Sequence, residues 1–198
     1  MLNGKTALVT GINVQYLFYN QHFSVEPRIG FIYNLSQYQS INLGAGILSQ
    51  LQPHVIYFNE TEIAPGQFIQ SNKDLDFSKS NQFVLGYNLL ISNSLRLKAE
   101  MYYQYLYQIP IKQSGFPQYS LINSGSDFGI DPEDSLINKG TGQNLGVEFT
   151  FERFFKSNYY YLATISLYNS TYRGADNMKR NTSFNQNYII NMLGGYEL

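Results

Sequence analysis

The stretch Leu95-Arg96-Leu97-Lys98-Ala99-Glu100-Met101-Tyr102-Tyr103-Gln104-Tyr105-Leu106-Tyr107 reads differently at its odd and even positions. The odd positions are Leu, Leu, Ala, Met and three tyrosines. The even positions begin Arg, Lys, Glu. Successive side chains of a β-strand point to opposite faces, so this segment is a strand with two different solvents on its two sides.

The same period of two recurs about eight times along the chain. Thr6 to Phe18 sets Leu8, Ile12, Val14 and Tyr16 against Asn13 and Gln15. Val25 to Leu35 sets Val25, Ile29, Phe31 and Tyr33 against Glu26, Arg28 and Asn34. Ile41 to Ile47, Phe83 to Ile91, Leu145 to Phe151, Tyr161 to Leu167 and Tyr188 to Tyr196 repeat the alternation. No stretch holds a helical period over ten or more positions. The strands run beyond the roughly 9 to 11 residues of a tilted spanning strand, which predicts walls that project past the bilayer.

Composition points the same way. Of 198 residues, 14% are charged and 16% are aromatic, with 18 Tyr and 14 Phe. An ordinary soluble domain carries about 25% charged residues. The mean hydropathy is nevertheless only −0.26, as alternation of apolar with neutral polar residues requires. A net charge of −1 argues against a nucleic-acid partner, which needs a basic face. Cysteine is absent, which excludes disulfides and thiolate metal sites. No apolar run is long enough for a transmembrane helix.

The connections alternate in length. Asn34 to Ser40, Ser92-Asn93-Ser94 and Lys156-Ser157-Asn158 are short and turn-like. Leu51 to Ser80, Pro110 to Lys139 and Gly174 to Ser183 are long, two of them about thirty residues. Such loops count against a compact soluble domain. They are the rule in an outer-membrane β-barrel, with short periplasmic turns and long outer loops. Aromatics gather near strand ends, at Tyr102, Tyr103, Tyr105 and Tyr107 and again at Phe154, Phe155, Tyr159, Tyr160 and Tyr161. These positions match the two interfacial girdles of a barrel wall.

The fold expected is therefore all-β: an antiparallel transmembrane barrel wall of about eight strands. Its lipid-facing candidates are Leu95, Leu97, Ala99, Met101, Val147, Phe149, Ile165, Leu167 and Ile190. Its lumen-facing candidates are Arg96, Lys98, Glu100, Glu148 and Glu152. The last five fit either a substrate path or charge pairs across a polar lumen.

Signals of other chemistry are weak. Asn3-Gly4-Lys5-Thr6-Ala7-Leu8-Val9-Thr10-Gly11 resembles the opening of a short-chain dehydrogenase, but Ile12-Asn13-Val14-Gln15-Tyr16 continues the alternation where further glycines are needed. None of the eight lysines has a tyrosine four residues before it, so that family's Tyr-x-x-x-Lys pair is missing as well. His22 and His54 both fall in predicted loops, far apart. The acidic cluster Asp127, Asp131, Glu133 and Asp134 lacks the spacing of a calcium loop. No catalytic residue, metal site or cofactor is assigned, and the chain reads as a non-enzyme.

Three further stretches carry a family likeness. Ser71-Asn72-Lys73-Asp74-Leu75 leads to Ser80-Asn81-Gln82-Phe83-Val84-Leu85-Gly86-Tyr87. The Leu95-to-Gln104 strand comes next. Asn138-Lys139-Gly140-Thr141-Gly142-Gln143-Asn144-Leu145-Gly146-Val147-Glu148 follows. In this order they resemble the barrel of TonB-dependent outer-membrane receptors, particularly of the Bacteroidetes type, over residues 24 to 198. The resemblance implies a barrel of about 22 strands, with a plug domain inside, in the outer membrane of a Gram-negative bacterium. It implies energised import of a scarce nutrient (a siderophore, a metal chelate or a glycan) through coupling to TonB. The partners implied are outer-membrane lipid, the plug, the remaining strands, TonB and the cargo.

Residues 1–198 hold no plug and no TonB-contacting segment, the N-terminus does not read as a signal peptide, and the chain closes on Tyr196-Glu197-Leu198 rather than on a terminal aromatic. It is accordingly expected to be an internal part of the barrel domain that lacks its natural start. Two alternatives stay open: a complete eight-stranded outer-membrane barrel with a structural or adhesive role, and a soluble β-sheet binding protein. The first requires its end strands to pair; the second requires a layer over the apolar face.

Overall fold

A computed structural model of the chain describes residues 4–126, 129 and 132–198. Eleven strands are described. The wall opens with β1 (Thr6–Leu17), β2 (His22–Ser36) and β3 (Gln39–Gln50). A one-turn helix α1 (His54–Tyr57) and a hairpin of β4 (Thr61–Ala64) and β5 (Gln67–Ile69) interrupt it. The wall resumes with β6 (Ser78–Ser92), β7 (Leu95–Lys112), β8 (Leu136–Lys156), β9 (Tyr159–Arg173), β10 (Lys179–Asn181) and β11 (Tyr188–Tyr196).

All pairings in the main sheet are antiparallel, in the order β1-β2-β3-β6-β7-β8-β9. The outer edge of β9 is shared: β10 pairs with Thr171–Arg173 and β11 with Tyr159–Leu167. The wall is thus eight lanes wide, as the alternation predicts. No pairing joins β1 to β11 among the described residues, so the sheet is open and does not meet the closure that a small eight-stranded barrel requires.

Register makes the two faces continuous. Leu8, Phe31, Leu43, Leu85, Met101, Val147, Leu167 and Tyr188 stand in one row across all eight lanes. A neighbouring row holds Tyr33, Ile41, Tyr87, Ala99, Phe149, Ile165 and Ile190. No Asp, Glu, Lys or Arg interrupts these rows. No described segment covers them either: Met101, Phe149, Ile165, Leu167 and Ile190 are 42–53% exposed. The described helices are only four and three residues long.

The short turns have the backbone their residues allow. Ser157 (φ 55°) and Asn158 (φ 68°) both occupy the left-handed region, which a two-residue turn between twisted strands requires and which asparagine tolerates. These turns all lie at one end of the sheet. The long connections lie at the other, joined there by the short β1–β2 turn of residues 18–21; with that one exception, expected near Asn20 to Ser24, the alternation of short and long is borne out.

The strands beside the long connections run further than the alternation indicates. β7 continues to Lys112 and β8 starts at Leu136, not near Leu145. A bulge explains the difference. Gln108 takes φ 56° and the β7–β8 register shifts between Leu106 and Ile109, which breaks the period of two. Gly140 and Gly142 further blur it, because neither carries a side chain to alternate. The histidines also differ from expectation: His22 opens β2 and His54 opens α1, so neither sits in an irregular loop. The long connections contain local structure whose elements are too short for a periodicity reading.

Those connections fold onto one another. Ile56, Tyr57, Leu75, Leu121 and Leu136 form a buried apolar cluster drawn from four separate stretches of chain. Asn72, 1% exposed, ties them: its Nδ2 donates to the carbonyls of Ile56 (3.1 Å) and Glu133 (2.7 Å), and its Oδ1 accepts from the Leu136 amide (2.9 Å). Asn138 does the same nearby, donating to the carbonyls of Asp76 and Gln108. The protein's most buried side chains therefore lie at the loop end, while the sheet itself has no conventional core.

Candidate functional site

Opposite the apolar face is a polar one, and the register brings the five charged candidates together there. Arg96 stands directly across from Glu152 and reaches it at 2.5 Å. Lys98 pairs with Glu100 along its own strand. Glu100 faces Glu148 across the ladder, a like-charge arrangement that disfavours the pair unless it is offset. The Lys98 ammonium supplies that offset for Glu100, and the Ser166 hydroxyl donates to Glu148 at 2.8 Å. The nine apolar candidates all lie on the other face.

Toward the loop end of β7, β8 and β9 the polar face becomes uncharged. Thr182 donates to Ser170 (2.8 Å), Ser170 to Asn144 Oδ1 (2.6 Å), and Asn144 Nδ2 to Gln104 Oε1 (2.6 Å). This chain of hydrogen bonds crosses from Thr182, just beyond β10, to β7. Between it and the carboxylates, Tyr102 lies flat over Gly146. A Cβ at Gly146 would sit 2.5 Å from the phenol oxygen, so any larger residue there would push the Tyr102 ring aside.

A cavity of about 710 Å³ lies on the polar face, under the segment 121–125. One wall is built by Glu26, which the sequence reading passed over. Its carboxylate is 1% exposed and collects donors from three strands: Asn13 Nδ2 (3.1 Å), Gln15 Nε2, Arg28 Nη2 (2.9 Å), and the Ser49 amide (3.0 Å) and hydroxyl (2.5 Å). The signal available in sequence was Glu26-Pro27-Arg28 facing Asn13 and Gln15, but which residues meet depends on register. A buried carboxylate with all its acceptor sites filled is a fixed scaffold for the side chains around it.

At the rim, Arg180 grips Asp176 in two contacts of 2.5 and 2.8 Å. The guanidinium holds the Asp176 carboxyl at about 2, against 3.8 for an ordinary aspartate. A lowered carboxyl contributes its stabilisation above pH 3.8 and loses it as pH falls toward 2. The Asp176 carboxyl carbon is therefore expected to titrate by NMR at about 2, and to move up toward the ordinary aspartate range in Arg180→Gln. A wild-type midpoint near 4 would rule out the clasp.

Of the acidic cluster, Asp127 and Asp131 lie outside the described residues. Glu133 and Asp134 both contact Lys112, at 2.5 and 3.0 Å.

No protein-family model matches the chain, and no curated protein matches it in sequence. Solved structures do match in fold. The ferric-catecholate import receptor Fiu of E. coli K12 aligns over 89% of this chain with a TM-score of 0.61 and 11% identity. The FrpB iron transporter of Neisseria meningitidis aligns over 89% with a TM-score of 0.56 and 10% identity. The copper transporter OprC aligns over 88% with a TM-score of 0.55 and 11% identity. The matched part is only 23–28% of those chains, so this chain spans about a quarter of their length. The chain has the fold of a β-barrel wall section of TonB-dependent receptors.

Proposed function

We propose that the chain is a section of the barrel wall of a TonB-dependent transporter in the outer membrane of a Gram-negative bacterium. The observation that carries this reading is the two-faced sheet: charge-free rows of half-exposed Leu, Ile, Phe and Met on one side, an ion-paired and amide-rich surface on the other. On this reading Leu95, Leu97, Ala99, Met101, Val147, Phe149, Ile165, Leu167 and Ile190 meet lipid. Arg96, Lys98, Glu100, Glu148 and Glu152 meet the water-filled interior. Further strands continue the wall from the unpaired edges of β1 and β11, a plug domain fills the interior, and TonB supplies the drive. The role is transport of a scarce nutrient, not catalysis, and the sequence motifs favour the Bacteroidetes type.

Specific observations weigh against the rivals. The end lanes are unpaired, which disfavours a small closed barrel. The apolar rows have no covering layer, which disfavours a soluble sheet, since large exposed apolar patches mark a partner or a membrane. The test is genetic. The gene product that carries this chain should fractionate with outer membranes, and growth that depends on it should cease when TonB is deleted. Growth that survives TonB deletion would overturn the importer reading.

A further inference from the structure

Among the described residues the 710 Å³ cavity is lined without a single aromatic ring, in a chain that is 16% aromatic. Its polar lining is dominated by amides. Gln50 and Gln82 make no side-chain hydrogen bond among the described residues, and Gln104 has its Nε2 still free, because only its Oε1 is engaged. The Ser80 hydroxyl is decisive. Ser80 is 6% exposed, lines the cavity, and has no partner for its oxygen among the described residues. A buried hydroxyl left unmatched costs about 1–3 kcal/mol, so this group is poised for something that enters.

The apolar part of the lining is aliphatic: Leu48, Leu106, Leu121 and Ile122. Charge is scarce. Glu26 and Arg28 neutralise each other at 2.9 Å, and Lys79, which pairs with Tyr107 between the inward Ser78 and Ser80, belongs by alternation to the opposite face. A lining without a net cation is poorly matched to a multiply anionic metal chelate. A sugar face packs best on an aromatic ring, and none is offered. A peptide group, by contrast, presents one donor and one acceptor, the complement of a side-chain amide. Aliphatic side chains suit the remaining surface.

We propose that this cavity is a subsite for an uncharged stretch of a short peptide, with backbone amides on Gln50, Gln82 and Gln104, a carbonyl on Ser80, and apolar side chains against Leu48 and Leu121. The proposal rests on the importer reading and gives its cargo a chemical class outside the three that the sequence resemblance implies.

The test uses the full-length gene product in detergent, titrated calorimetrically with N-acetylated, C-amidated pentapeptides of Ala, Leu, Ser and Gln. Maltoheptaose and a ferric tris-catecholate serve as the competing classes. The peptides should bind saturably. Gln82→Leu with Gln104→Leu should raise Kd at least about tenfold while heat-modifiable electrophoretic mobility stays that of the folded barrel. Ser80→Ala, which removes no hydrogen bond of the fold, should weaken binding about threefold and serves if the double variant does not fold. Absence of peptide binding, an unchanged peptide Kd in the variants, or binding of either competitor that the same substitutions abolish would overturn the proposal. Because this binding is measured without TonB, its failure is distinguishable from failure of the importer reading.

Discussion

Glu26→Ala is expected to lower the stability of the folded wall by about 3–5 kcal/mol, the range for removing one partner of a buried, hydrogen-bonded charge. The carboxylate receives five hydrogen bonds from four residues on β1, β2 and β3. Without it, Asn13, Gln15 and Ser49 lose their shared acceptor. The Arg28 side chain is 53% exposed, so its charge is largely solvated and the loss belongs at the lower end of the range. Glu26→Gln keeps the shape but turns an NH₂ group toward donors, and should cost an intermediate amount. Denaturant unfolding of the refolded full-length protein in detergent measures both. A loss below about 0.5 kcal/mol for Glu26→Ala would mean that the cluster does not organise the wall.

Ala99→Arg is expected to cost about 2–4 kcal/mol in a bilayer, as for a cation near the midplane of a barrel's lipid face. Ala99 has Tyr87 and Phe149 beside it in its row. Glu100→Gln, one position along and on the other face, should be close to neutral. It forfeits the Lys98 ion pair but also removes the charge that opposes Glu148. The ranking matters more than either value. If refolding into lipid vesicles gave the larger loss for Glu100→Gln, the two faces would have to be exchanged.

The architecture was open to sequence reading where side chains alternate without interruption. From Leu95 to Leu106 every odd residue falls on one face and every even residue on the other, and the register of β6, β7 and β8 preserves that division across lanes. Legibility ends where the backbone departs from a simple pleat. The bulge at Gln108 hid the outer half of β8. The one-turn helix at His54–Tyr57 is shorter than any period that could betray it. The Glu26 cluster was invisible for a different reason. Its members are individually ordinary polar residues, and only pairing Asn13 with Glu26 and bringing Ser49 alongside makes a site of them. The cavity inherits the same obscurity, since its lining comes from five wall strands and two loops.

The shared cluster of Ile56, Tyr57, Leu75, Leu121 and Leu136 has an evolutionary corollary. Surface loops of exposed proteins ordinarily diversify one by one, because each is an independent appendage. Here Asn72 binds backbone that lies about sixty residues downstream, so a change in one segment alters the seat of another. Variation in this outer region should therefore be inherited as linked sets of substitutions, and grafting a single loop from a diverged homologue should fail where exchange of the whole group succeeds.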